Sequence, residues 1–74
     1  MEEIKETLKK YVEDRYPVGD FLRAVLENDL FAAMSRADSR NRIRIHDICN
    51  YIYNELPMEC WGDKETVKKW LKNE

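Results

Sequence analysis

Four arginines in nine residues, Arg36, Arg40, Arg42 and Arg44, are the densest chemistry-bearing feature of the chain. Guanidinium groups at this spacing can clamp phosphates or an acidic protein surface, because each offers a planar fork of donors. Arg36 and Arg40 share a face if residues 35–40 are helical, and Arg42 and Arg44 point the same way if residues 42–45 are extended. The competing reading is a solvated loop whose arginines pair with Asp38, Asp47 or the acids of the first helix. Charge over the whole chain favours neither clamp nor loop: 13 Lys and Arg face 15 Asp and Glu, for a net charge of −2. Its distribution is uneven, with balances of −3 over residues 1–34, +3 over 35–46 and −2 over 47–74. An acidic chain with one short basic stretch lacks the broad basic footprint of most nucleic-acid binders.

The other reactive side chains are sparse. His46, Asp47, Cys49 and Cys60 fit no zinc-ligand spacing, and Cys49 falls among apolar residues, where it reads as a small core residue. Two cysteines make no disulfide framework, although a Cys49–Cys60 bridge stays open as an alternative. Ser35 and Ser39 have no His or Asp partner at motif spacing, the carboxylates are scattered, and Gly19 and Gly62 stand alone, so there is no phosphate-cradling loop. The expectation is a protein with no catalytic residue, no cofactor and no metal, not an enzyme. Trp61 and Trp70 read as lids on a core, but tryptophan and tyrosine are enriched at interface hot spots, and Trp61 and Tyr51 are kept as candidate contacts beside the arginines. Tyr51 and Tyr53 cannot share one narrow helix face, so one of them is expected at the surface.

Apolar spacing predicts the elements that hold these groups. Ile4, Leu8, Tyr11, Val12 and Tyr16 mark one face of a helix over 2–16, ended by Pro17. The most apolar stretch, residues 17–34, reads as a helical hairpin with helices over 20–28 and 29–38; one kinked helix is the competing reading. Asp20 and Asp29 are candidate N-caps, and Asn28 suits the left-handed bend between the helices. Residues 35–42 hold no large apolar side chain and read as a loop or frayed helix end. Arg42–Ile45 reads as an extended linker with Ile43 and Ile45 turned inward. A helix over about 46–55 follows, stopped by Pro57, then a connector with one helical turn closed by Gly62, and a last helix over 64–73 capped by Asp63. A DNA-reading role for the helix over 46–55 is poorly supported, because Asp47 and Glu55 flank its polar readers His46, Asn50 and Asn54 and repel phosphate.

These elements assemble into one all-α domain over residues 1–74, a compact orthogonal bundle of four to five short helices. The expected core is Leu8, Val12, Phe21, Leu22, Val25, Leu26, Leu30, Phe31, Met34, Ile45, Ile48, Ile52, Val67 and Leu71. With 43% hydrophobic and 38% charged residues of mixed sign, the composition suits solvated helix faces around a small core rather than disorder. No signal peptide and no membrane-length apolar run is visible, which leads us to expect a cytoplasmic protein with reduced thiols.

The strings Gly19-Asp20-Phe21-Leu22, Ala24-Val25-Leu26 and Asn28-Asp29-Leu30, then Arg36-Ala37-Asp38 and Asn41, then Tyr51, Tyr53-Asn54-Glu55 and Pro57, and Trp61-Gly62, together resemble a group of short bacteriophage, prophage and mobile-element proteins. The resemblance covers about residues 15–71. It departs at His46, where members of the group often carry proline, a residue that suits a helix start. The resemblance implies a small accessory protein of a phage or mobile element and lends no catalytic residue. The expected function is therefore docking on another macromolecule, most simply a protein. The alternative is nucleic-acid binding through Arg36, Arg40, Arg42 and Arg44, and self-association as a homodimer through an apolar patch is a third route.

Overall fold

A computed structural model describes residues 1–73. Among them are five α-helices, α1 (Glu2–Asp14), α2 (Asp20–Leu26), α3 (Leu30–Arg36), α4 (Ser39–Glu55) and α5 (Lys64–Leu71), with a single 3-10 turn over Met58–Cys60 between the last two. No strand occurs among the described residues. The radius of gyration is 11.2 Å, against about 11 Å for a compact chain of this length. The all-α bundle expected from the sequence is what forms.

Each helix end has a local cause. Arg15 closes α1 in the left-handed conformation at φ 55, two residues before Pro17, so the helix ends earlier than its apolar spacing implies. The central hairpin is two helices. Asn28 bends the chain at φ 60, and the Asp29 carboxylate accepts the Ala32 N–H to start α3. Asp38 and Asp63 cap α4 and α5 in the same way, accepting from the Asn41 and Thr66 N–H groups at 2.8 Å each. Replacing either aspartate with alanine should cost about 0.5–2 kcal/mol, read as a lower urea midpoint at unchanged slope.

Two expectations fail here. Residues 39–45 are neither loop nor extended linker: α4 runs unbroken from Ser39, and Ile43 is 85% exposed rather than turned inward. The sequence pattern misses this part of α4 because its inner face is built from Asn41, Arg44 and Ile45, only one of which is apolar. Leu30, Phe31 and Met34 are also outside the core, at 63%, 86% and 37% exposure. Ala33 of α3 and Ala37 just past its end are buried instead, as is Ala24 of α2. The Asp29 N–H reaches the Ala24 carbonyl at 2.9 Å. Small residues let α2 and α3 approach closely, and that contact turns the large side chains of α3 outward.

The core itself gathers Leu8 and Tyr11 of α1, Phe21, Leu22 and Leu26 of α2, Ile48 and Ile52 of α4, Cys60 of the turn and Val67 of α5. Val12, Val25, Ile45 and Leu71 are only partly buried at its margin. Tyr11 is its pivot. Its hydroxyl donates to the Cys60 carbonyl at 2.7 Å, and its own carbonyl accepts the Trp70 indole N–H at 3.0 Å. Burial raises the Tyr11 hydroxyl pKa well above its usual value, which keeps it protonated as a donor. Arg15 lies over the Trp70 ring at 3.4 Å and donates to its carbonyl, so α5 is clasped by α1 from two sides. Gly62, at φ 133, donates to the Leu26 carbonyl at 2.7 Å, which fixes Trp61 beside the end of α2. That positive φ requires glycine.

Candidate functional site

The arginine cluster does not assemble into one surface. Arg44, half-buried on α4, pairs with Glu3 of α1 at 2.7 Å, and Arg40 reaches the same carboxylate at 3.7 Å. Arg44 also donates to the Asn41 side chain at 3.0 Å. Arg36 points the other way and donates to the Asp20 carbonyl at 3.3 Å. Arg42 is exposed, and its guanidinium has no partner among the described residues. Three of the four arginines therefore tie elements together: two fasten α4 to the first turn of α1, and one braces the start of α2.

Glu3 is the acid that the sequence reading did not single out. Backbone hydrogen bonding and the Arg44 guanidinium hold its carboxyl down at about 2. A carboxyl depressed on folding adds stability above its unfolded pKa and loses it as pH falls toward the folded value. The wild type should therefore lose a small, salt-screened contribution between about pH 4.5 and 2. Urea midpoints at neutral and acid pH, in low salt, should show that this acid-dependent part is missing in Glu3→Gln.

Both cysteines are free. Cys49 is exposed, not a core residue, while Cys60 is fully buried and donates to the Pro57 carbonyl. Burial raises both thiols, Cys60 to about 11, so neither is a thiolate at neutral pH. No group of three metal-ligating side chains occurs among the described residues.

What the fold does assemble is an open apolar groove. The α2–α3 hairpin forms one wall and α4 the other. Val25, Asn28, Asp29, Leu30, Ala33, Ile45 and Cys49 line its narrow end. It widens into a shallow cleft of about 300 Å³ lined by Val25, Asn28, His46, Cys49, Asn50, Ile52, Tyr53 and Trp61. Trp61 closes the wide end, its ring 6.0 Å from that of Tyr53 and its indole N–H aimed at the Leu56 carbonyl at 3.4 Å. Tyr53 is 73% exposed. Of the two candidate contacts, Trp61 lines the groove but Tyr51 faces α1, where the Lys5 ammonium sits 5.4 Å from its ring; the second groove aromatic is Tyr53. Sequence spacing could have shown this, since 45, 46, 49 and 53 fall on one helical face once α4 is known to be continuous.

Helix α3, whose Leu30 lines the groove, presents three large apolar side chains to solvent, Leu30, Phe31 and Met34. Monomeric surfaces carry few such clusters, and those they carry commonly mark interaction sites. No protein-family model, curated protein or solved structure matches the chain. Fold and surface together define a small all-α module with an apolar groove open to solvent. No helix among the described residues is long and apolar enough to cross a membrane.

Proposed function

We propose that this protein is a small accessory module, of the kind its sequence resembles in phages and mobile elements, and that it works without catalysis by docking on a protein partner. One observation carries the reading. Leu30, Phe31 and Met34 stand exposed on a short helix whose Leu30 and Ala33 line a groove shared with Val25 and Cys49, and which widens toward Tyr53 and Trp61. Leaving these side chains in water forgoes roughly 1.5–3 kcal/mol of burial for each large one, and a partner that covered them would recover it. Aromatic anchors at the wide end, an apolar lip and the amides of Asn28 and Asn50 at the rim have the makeup of an interface centre, where apolar contact dominates and polar groups fix orientation.

Nucleic-acid binding through Arg36, Arg40, Arg42 and Arg44 is the second reading. Its support is narrower, because Glu3 neutralises Arg40 and Arg44 and Arg36 braces α2. The two readings separate in one experiment. The protein is immobilised and challenged with lysate of a bacterium that carries its gene, and separately titrated with labelled DNA and RNA at low and physiological salt. Wild type and Ile43→Glu, which alters an exposed apolar residue outside the groove, should capture the same protein, and Phe31→Glu should lose it. Salt-sensitive nucleic-acid binding that disappears when all four arginines become glutamine, with no protein captured, would overturn the docking reading.

A further inference from the structure

Helix α3 is apolar on two sides. Ala33 is buried, while Leu30, Phe31 and Met34, at i, i+1 and i+4, stand in solvent. Helical spacing spreads those three over about 100° of arc, the width of a stripe that packs on a neighbouring element. A helix apolar all round belongs in an interior, yet no described residue of this chain covers the outer stripe. The same side carries little charge. From Leu30 to Ser35 no side chain of α3 is charged, in a chain with 38% charged residues. The groove that Leu30 helps to line holds no lysine or arginine, and its one carboxylate, Asp29, is the N-cap of α3. Depletion of charge around exposed aromatic and methionine side chains is the composition of an interface centre.

We propose that a second copy of this chain covers this face, and that the free protein is a two-fold dimer held by α3 and the groove beside it. The inference rests on the reading of this face as a docking surface and names what covers it before another protein does. In a two-fold dimer one patch serves both copies, so it must match itself. An apolar and nearly uncharged surface meets that condition. Charge also sets the direction of pairing. Parallel α3 helices would place the two Asp29 carboxylates side by side. Antiparallel helices put each Asp29 at the end where the other α3 carries Arg36, so each end holds opposite charges. The area suits a weak dimer. Phe31 and Tyr53 are 86% and 73% exposed. With about 150–250 Å² on a whole aromatic side chain, the two offer roughly 240–400 Å² per copy. Leu30, Met34 and the open lining of the groove bring this to the order of 500 Å² per copy, or about 1,000 Å² in total, where specific interfaces begin. A contact of that size exchanges readily for a better-fitting partner.

The test is sedimentation equilibrium of the full-length protein from about 5 µM to about 1 mM, with a reductant present so that the exposed Cys49 links no copies. The mass should rise from 8.9 kDa toward twice that value across the range. On dilution of isotope-labelled protein, the amides of residues 30–34 and 49–53 and the Trp61 indole should shift. Phe31→Glu keeps the fold, since the side chain is exposed, and should weaken dimerisation at least about tenfold. Ile43→Glu, exposed and lining neither end of the groove, should dimerise as wild type does. A wild type that stays at 8.9 kDa up to about 1 mM would overturn the dimer. So would a dimer whose shifts lie elsewhere and that Phe31→Glu leaves intact. Neither result touches docking on another protein, which capture by wild type against Phe31→Glu decides separately. A dimer that Phe31→Glu breaks, with no protein captured, would uphold this inference and remove docking on another protein.

Discussion

Tyr11→Ala should be the most destabilising single substitution in the chain. A chain of this length has a total stability of about 4–11 kcal/mol, and removing a fully buried aromatic side chain costs about 3–5 kcal/mol. Tyr11 is 0% exposed, and its hydroxyl satisfies the buried Cys60 carbonyl that ends the 3-10 turn. Tyr11→Phe separates the two contributions. The ring stays, the carbonyl is left unpaired, and the loss should fall to about 1–3 kcal/mol. Circular dichroism during urea unfolding distinguishes these outcomes. Equal midpoints for Tyr11→Phe and wild type would mean that water reaches the Cys60 carbonyl and that the turn is not pinned from α1.

Trp70→Ala should be the second most damaging change, at about 3–5 kcal/mol by the same size argument, somewhat less for its partial exposure. Its indole N–H reaches back to Tyr11, its ring lies 6.5 Å from the Tyr11 ring, and Arg15 stacks on its far face. The stacked guanidinium adds about 0.5–2 kcal/mol and holds Arg15 in the left-handed backbone that ends α1. Because Tyr11 and Trp70 touch, their losses should not add. A double-mutant cycle built on Arg15→Ala and Trp70→Leu, which deletes the stacked pair, should show a coupling of about 0.5–2 kcal/mol. A coupling near zero would contradict the clasp between α1 and α5 described above.

Much of this architecture is legible in the residues, for identifiable reasons. The ends of α3 and α5 follow from Asp29 and Asp63, whose carboxylates cap as their positions imply, and Asn28 takes the left-handed bend expected of it. Helix α4 is half legible. Ile48 and Ile52 mark its C-terminal part, but its first turns depend on the Asp38 cap, the Asn41–Arg44 contact and Glu3 of a distant helix, none of which shows as apolar periodicity. The groove was hidden by the same preference for large apolar residues. Leu30, Phe31 and Met34 have the spacing of a core face, yet Ala24, Ala33 and Ala37 occupy the interior because only small side chains allow α2 and α3 to close. Nothing within residues 29–38 reveals which face wins; the outcome depends on how closely α2 approaches.

The most direct test of the docking groove places a photo-crosslinking phenylalanine analogue at position 31 or 53, with position 43 as an exposed control outside the groove. Irradiation in cells that carry the gene should join positions 31 and 53 to one and the same protein and leave position 43 unjoined. Crosslinks of equal yield from all three positions, or a partner reached from 43 alone, would contradict the account and move the working surface away from the α3–α4 groove.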